Sequence, residues 1–374
     1  KTPKWESFTF ENALDLNIVG YEKPRAVNLT QVVQGPIKTD KNGDAASAIL
    51  LPEDQLKSYG MLEYGVAFKD DRGKNIAGYS ANEVFYSKFI VGIKTQKWAY
   101  EAQEEIIPEI ILLDKKEKPV AGIEVGLKLV HRIYKTVRRS GAGPYFYYDT
   151  KTKDREIASC TFKSAETPKG CALKSQAAGD HYIVAVAKDS KGRITRSALQ
   201  KYVTGKEYIG WYRENHDRID LIAEKKIYQV GETVKILVKN PYETVDALIT
   251  LERFGILKQF RKTLTRGADV ISIPIDSKQY APGFFVGAQL IKGRVSEKLE
   301  GGVDLGRPSF KMGLTGITVV DPDTDLKVTA KMDREQYEPG DKVQVTLDVR
   351  SPGDNSVSEL SVAVVDEKIL QLSG

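Results

Sequence analysis

Ala223-Glu224-Lys225-Lys226-Ile227-Tyr228-Gln229-Val230-Gly231-Glu232-Thr233-Val234 decides the architecture, because the chain repeats it in diverged form as Met332-Asp333-Arg334-Glu335-Gln336-Tyr337-Glu338-Pro339-Gly340-Asp341-Lys342-Val343. In each copy a tyrosine stands three residues before a glycine, and alternating apolar residues follow. The glycine suits a turn with positive φ, and the tyrosine ring is expected to cover the end of a β-module. A second repeat pairs Ala67-Phe68-Lys69-Asp70-Asp71-Arg72-Gly73-Lys74 with Val186-Ala187-Lys188-Asp189-Ser190-Lys191-Gly192-Arg193. Both repeats recur after roughly 110 to 120 residues, about the size of one immunoglobulin-like sandwich and too long for a solenoid unit. Tyr100 occupies a comparable place, but Gln103 replaces the glycine, so that turn is expected to differ.

The flanking runs read as strands. Val234, Ile236 and Val238 alternate with Lys235, Leu237 and Lys239, although Leu237 makes the outer face less polar. The same period of two runs through Ile123 to Leu129 and through Val343 to Val349. It places one face of each strand on a core and one in water. Turn signals such as Lys41-Asn42-Gly43, Lys191-Gly192 and Pro282-Gly283 punctuate the runs, and helical periodicity is nearly absent. The expected fold class is therefore all-β, as tandem immunoglobulin-like antiparallel β-sandwich domains. The repeats divide the chain into modules at 1–86, 87–205, 206–320 and 321–374. The first is short and is expected to lack an opening strand. The last is about half a sandwich, expected to be truncated, disordered beyond Gly374 or completed by missing sequence.

Composition narrows the function. The 374 residues carry 56 basic and 51 acidic side chains, for a net charge of +5, and 41% hydrophobic content fits a globular chain. The charges interleave, so nucleic acid is not an expected partner. The run Lys135-Thr136-Val137-Arg138-Arg139 reads as a solvated face. No stretch reaches the roughly 18 apolar residues that span a bilayer. Lys1 begins no signal peptide, so any targeting segment is expected to have been removed. No HExxH, paired CxxC or Walker loop is present, and Gly141-Ala142-Gly143-Pro144 reads as a hairpin tip. Neither metal, cofactor nor catalytic residue is expected, for want of any convergent histidine, carboxylate and nucleophile set.

Cys160 and Cys171 flank a turn containing Pro168 and Gly170. Two strands joined across it bring the Cα atoms near the ~5.5 Å that a disulfide needs, which would imply an oxidising compartment. The alternative is a pair of reduced, buried thiols. Asp40-Lys41-Asn42-Gly43-Asp44 begins like a calcium loop but has Ala45 and Leu51 where glycine and glutamate belong, so it reads as a turn. Asp321-Pro322-Asp323-Thr324-Asp325 reads as a solvated linker. Glu252 and Arg253 read as a cross-strand ion pair or surface contact.

Taken in order, these segments resemble the macroglobulin-like domains of bacterial alpha-2-macroglobulins. The resemblance spans nearly the whole chain and is most specific at Tyr228-Gln229-Val230-Gly231-Glu232-Thr233, at Leu251-Glu252-Arg253-Phe254-Gly255-Ile256-Leu257 and at Val303-Asp304-Leu305-Gly306-Arg307-Pro308. Ala363-Val364-Val365-Asp366-Glu367-Lys368-Ile369-Leu370 completes the set, with support from Phe89-Ile90-Val91-Gly92-Ile93 and the two cysteines. The family residues carried over are Tyr228, Gly231, Glu252, Arg253, Gly255, Tyr337, Gly340, Asp366 and Glu367, all in structural roles. What the resemblance implies is seven-stranded sandwiches belonging to a broad-spectrum protease inhibitor. In that family a protease cuts a bait segment, the molecule rearranges, and in many members a thioester captures the attacker. It further implies a periplasmic protein whose parent is held to a membrane through an N-terminal lipid. The partners would be proteases, met through parts outside this chain, and the protein a monomer. The bait would follow Val365-Asp366-Glu367, and no Cys-Gly-Glu-Gln type tetrapeptide is present, so bait and thioester are expected to lie outside this chain. The alternative is a surface adhesin or interaction array of immunoglobulin-like modules.

Overall fold

The computed structural model describes residues 3–14, 34–48, 60–69, 72–140, 146–205, 207, 209–213, 215–265, 268–295, 306–321, 327–338, 340–350 and 359–362. Among them every regular element is a strand apart from two single 3-10 turns. The protein is all-β, as the alternation predicts.

A hairpin of β1 (Gly60–Lys69) and β2 (Asn75–Val84) comes first. The next nine strands build a sandwich: β3 (Ile90–Lys94), β4 (Ala99–Glu101), β5 (Glu105–Ile106), β6 (Glu109–Leu113), β7 (Glu124–Ser140), β8 (Phe146–Lys163), β9 (Leu173–Lys174), β10 (Gly179–Lys188) and β11 (Ile194–Thr204). Its large sheet has the order β4-β11-β10-β7-β8, faced by the pairs β3-β6 and β5-β9. Between them lie Val91, Ile93, Ile110 and Leu112 against Val125, Leu127, Leu129 and Ile183. Near the N-terminus, Trp5, Phe8 and Phe10 bury themselves against Ile111 and Leu113, the other face of β6. Thr9 bridges Ile93 there.

A second sandwich follows: β12 (Leu221–Ala223), β13 (Ile227–Gln229), β14 (Thr233–Lys239), β15 (Thr244–Glu252), β16 (Ile256–Thr265), β17 (Ala268–Pro274), β18 (Gly283–Lys292) and β19 (Ser309–Val320). Here β12-β14-β17 faces β13-β19-β18-β15-β16. Val234, Ile236 and Val238, the inward set of β14, are fully buried with Ile249, Leu251, Val286 and Leu290. β20 (Lys327–Met332) and β21 (Val345–Arg350) close the described chain as a hairpin.

Among the named strands, pairing is antiparallel except at one point in each sandwich. β4 runs parallel to β11, and β13 runs parallel to β19. Purely antiparallel sheets were expected; in both sandwiches the short strand carrying the repeat tyrosine instead joins the sheet edge in parallel.

The second repeat is also structural. Val186 to Arg193 makes the β10–β11 hairpin, where Asp189 Oδ1 accepts the backbone N–H of Lys191 and of Arg193 at 2.9 and 3.0 Å. Asp40 holds the N–H of Asn42 and of Asp44 in the same manner, at 2.8 and 2.9 Å. The stretch resembling a calcium loop is thus an aspartate-capped turn. The tip at 141–144 and residues 322–325 lie outside the described residues.

Candidate functional site

The repeated tyrosine motif makes the same local structure three times. The backbone N–H of Lys97, Lys225 and Arg334 donates to the hydroxyl of Tyr100, Tyr228 and Tyr337, at 3.4, 3.2 and 3.0 Å. Four residues after each tyrosine, the carboxylate of Glu104, Glu232 or Asp341 accepts the N–H of Glu101, Gln229 or Glu338, at 3.0, 2.7 and 3.1 Å. Each carboxylate also pairs with the side chain of the leading Lys or Arg. One residue before it the chain turns with positive φ, at 73° for Gln103, 94° for Gly231 and 100° for Gly340. The Tyr100 turn therefore does not differ. Gln103 adopts the left-handed conformation because the clasp around it and its N–H bond to the Ser175 carbonyl, at 2.7 Å, define the path. Tyr228 and Tyr100 are buried, as ring caps should be.

The remaining sequence-selected residues are scattered. Cys160 and Cys171 form a disulfide with Cα atoms 6.6 Å apart. Glu252 and Arg253 keep separate partners: Glu252 Oε1 accepts the Thr250 hydroxyl at 2.5 Å, while Arg253 donates to the carbonyls of Gln279, Ala281 and Gly283. The two do not form a cross-strand pair; the guanidinium clamps a neighbouring turn. Phe254 and Gly255, at the tip of the β15–β16 hairpin, have φ of 54° and 159°. Asp366 and Glu367 lie outside the described residues. Apart from the disulfide, the described groups do not converge on one another.

What does converge is a joint between the two sandwiches, and it was not selected from sequence. Leu237 points outward from β14, where water was expected, yet it is fully buried. It meets Ile209 and Trp211 of the connecting segment, whose other side packs on Tyr202, Trp98 and Ala178 of the first sandwich. Trp211 and Tyr202 meet edge to face with centroids 6.2 Å apart. Beside this plug, Lys239 lies 4.0 Å from the Asp180 carboxylate of β10 and 3.5 Å from Asp220. Its ammonium also stands 5.0 Å from the Tyr202 ring centroid and 5.2 Å from that of Trp211. Burial alone would lower the Lys239 pKa; the negative charges of Asp180 and Asp220, with the Tyr202 hydroxyl, more than offset this and hold it above the usual lysine range. Asp180, almost wholly buried, also accepts from the Tyr134 hydroxyl at 2.9 Å and from Gln200 Nε2 at 3.2 Å.

The connector is stitched to both sides. Asn215 exchanges hydrogen bonds with the Tyr148 backbone at 2.6 and 3.4 Å, and the Thr150 hydroxyl donates to the Arg213 carbonyl at 3.0 Å, both on β8. Toward the second sandwich, Arg213 donates to the Pro241 carbonyl, and Met312 of β19 exchanges backbone bonds with Asp217 and Ile219. A cleft of about 720 Å³ opens beside the joint. The signal for all this was present: Leu237 and Lys239 occupy the outer face of one strand, an apolar residue and a cation with carboxylates to meet.

One pair has the atoms of a nucleophile and its base. Ser175 Oγ lies 2.8 Å from His181 Nε2, and His181 Nδ1 donates to the Gly179 carbonyl at 3.0 Å. Both side chains are buried, and the ring of His131 stacks on His181 at 4.6 Å. Sealed in this way, the pair secures the segment leading into β10.

Residues 219–372 match the family model described as the alpha-2-macroglobulin bait region domain. The material of that domain therefore starts inside the chain, at the joint, although the bait itself was expected beyond it. An alpha-2-macroglobulin homolog of Nostoc sp. is 24% identical over 99% of this chain and 19% of its own length. The alpha-2-macroglobulin of Ralstonia nicotianae is 30% identical over 155 residues, 41% of this chain and 9% of its own. Among solved structures, Salmonella alpha-2-macroglobulin reacted with methylamine aligns over 85% of this chain and 20% of that one, with 14% identity and a TM-score of 0.36. The chain thus spans about a fifth or less of the length of the curated relatives it matches. With the bait region domain model matching residues 219–372 and a relative aligned along 99% of its length, the chain is similar to the bacterial alpha-2-macroglobulins.

Proposed function

We propose that this chain is a non-enzymatic scaffold within a protease-trapping inhibitor, one that positions the bait and transmits the effect of its cleavage. The observation that carries this reading is the joint: two sandwiches share a buried tryptophan plug and a mostly buried cation, so displacement of one must be felt by the other. The match to the bait region domain supports the assignment of residues 219–372 to the bait-bearing part. Proteases are the proposed partners, engaged through a longer protein containing this chain. That protein is proposed to be a monomer in the periplasm, tethered by an N-terminal lipid. The modules are proposed to divide at 1–86, 87–205, 206–320 and 321–374, and the disulfide suits an oxidising compartment.

The test is a protease titration. In tenfold excess over trypsin, the chain alone is expected to leave casein hydrolysis unchanged. The longer protein is expected to suppress casein hydrolysis while sparing a small chromogenic peptide, since an enclosed protease excludes only large substrates. Stoichiometric inhibition by the chain alone, or equal loss on both substrates with the longer protein, overturns the proposal.

A further inference from the structure

Residues 5–13 are held to the first sandwich much as a bound peptide would be. Trp5, Phe8 and Phe10 are buried, and the rings of Trp5 and Phe8 meet edge to face with centroids 5.6 Å apart. The three rings pack on Ile111 and Leu113, on the outer face of β6, in a cluster apart from the core between the two sheets. The backbone of the segment takes up two open strand edges. Thr9 exchanges N–H···O bonds with Ile93 of β3 at 2.8 and 2.9 Å. Ala198 of β11 donates to the Glu11 carbonyl at 2.9 Å and accepts from the Ala13 N–H at 3.0 Å. Among the named strands β3 pairs only with β6, and β4 covers β11 only from Tyr202 to Thr204. Ser197 Oγ donates to the Val91 carbonyl at 2.5 Å, so the two edges lie side by side. Gly92 on β3 supplies a socket. It is not at positive φ, yet a Cβ there would lie 2.8 Å from two carbons of the Phe10 ring and 3.0 Å from Ile111 Cγ2. The missing side chain is the space that the ring occupies.

We propose that the groove framed by β3, β6 and β11 is a peptide-binding site, which accepts an extended segment with aromatic side chains at positions i, i+3 and i+5. The chain's own Trp5, Phe8 and Phe10 fill it in the structure. Strand addition of this kind takes its affinity from main-chain bonds and its specificity from side-chain pockets. Here the bonds are made at Ile93 and Ala198, and the pockets are the bare Gly92 and the surface of Ile111 and Leu113. The segment is detachable because the sandwich is complete without it. β3 on β6 and β10 on β11 keep registers of five and ten residue pairs, and the core cluster draws no residue from the segment. Opening of such an element leaves the rest folded. The ligand class is thus an extended aromatic peptide, and the tethered segment is its competitor. The site goes beyond the scaffold reading and survives if that reading fails.

Trp5→Ala with Phe8→Ala and Phe10→Ala empties the groove in the intact chain. A fluorescein-labelled Pro-Lys-Trp-Glu-Ser-Phe-Thr-Phe-Glu-Asn-Ala-Leu peptide, a copy of residues 3–14, is expected to bind that variant saturably and one to one, read by anisotropy. Wild type is expected to bind it at least tenfold more weakly, because a tethered segment outcompetes a free one. Gly92→Ala added to the emptied variant is expected to raise Kd at least tenfold, as is alanine at the peptide's second phenylalanine. Lys331→Ala, on β20, leaves Kd unchanged. Should the emptied variant fail to fold, hydrogen exchange in wild type decides. The Ile93 and Ala198 amides, which donate to the segment, are expected to exchange at least tenfold faster than those of β10. The proposal is overturned if a folded emptied variant shows no saturable binding, if wild type binds as tightly, or if Gly92→Ala changes nothing. Exchange of the Ile93 and Ala198 amides no faster than that of β10 overturns it equally.

Discussion

Gln103, Gly231 and Gly340 show how one backbone demand can be met by different residues. All three hold positive φ inside the same clasp of lysine or arginine, tyrosine and carboxylate. A glycine adopts this region freely, whereas a side chain there costs about 1 kcal/mol. No atom lies within 4 Å of a Cβ built on Gly231, so its replacement is opposed by backbone conformation alone. Gly231→Ala is therefore expected to destabilise the second sandwich by about 1 kcal/mol. Gln103→Gly should move the other way by about 0.5 kcal/mol, the relieved strain being partly offset by a more flexible unfolded chain. Urea midpoints of the two variants decide this: shifts of the same sign would mean that φ is not the controlling quantity. The glycine rule suggested a different turn at Tyr100. The spacing Lys97, Tyr100 and Glu104, identical to Lys225, Tyr228 and Glu232, carried the better signal. A tyrosine hydroxyl and a lysine-paired glutamate that hold the loop's own N–H groups constrain it more strongly than one residue's conformational preference.

At the scale of elements, the strands were legible because burial follows a period of two. Val234, Ile236 and Val238 lie where alternation puts them, fully buried. What alternation could not show is the partner of an outer face. Leu237 looked like an imperfection and is the socket for Trp211; neither repeat nor period encodes contact with a connector that has no strand of its own. Histidines were unreadable for a similar reason, since His131 and His181 are not near in sequence and meet only through the register of β7 on β10. That pairing predicts a pH dependence. Burial pushes His181 down to about 4, and its stacked neighbour His131 is lowered by burial as well. The unfolded chain binds a proton near the ordinary value of about 6.5, and the folded chain does not until about 4. Stability is then complete above about pH 6.5, falls as pH drops between the two values, and levels off near pH 4 with a loss of about 3 kcal/mol. Urea midpoints across this range should trace that curve, and His181→Gln should flatten it. A wild-type midpoint constant from pH 7 to 4.5 would mean that His181 is not held neutral by the fold.

For the whole molecule the question is whether the two sandwiches move as one. Among the described residues the connector holds them through its apolar plug, its backbone and side-chain stitches and, beside it, the Lys239 network. Of these, Lys239 alone ties the end of β14 electrostatically to β10, through Asp180. Removing one partner of a buried ion pair leaves the other desolvated, which costs several kcal/mol locally, more than the pair itself contributes. Lys239→Met keeps the apolar stem against Tyr202 and Trp211 but strands Asp180 with only Tyr134 and Gln200 as hydrogen-bond donors. The cost should fall on the joint, because the cores of both sandwiches lie on other faces of these strands. Trypsin cleavage within the connector, at Arg213 or Arg218, is thus expected to accelerate at least tenfold, while the urea midpoint of each sandwich changes little. Asp180→Asn added to Lys239→Met should restore much of the resistance, since the stranded charge is then gone, and the double-mutant cycle should give a coupling of about 1–2 kcal/mol. Equal cleavage rates in wild type and Lys239→Met would mean that the plug holds the joint unaided. Acceleration that Asp180→Asn fails to reverse would place the effect in lost packing of the lysine stem. Rescue by Asp180→Asn assigns it to charge, and makes the joint between the sandwiches depend on one mostly buried cation.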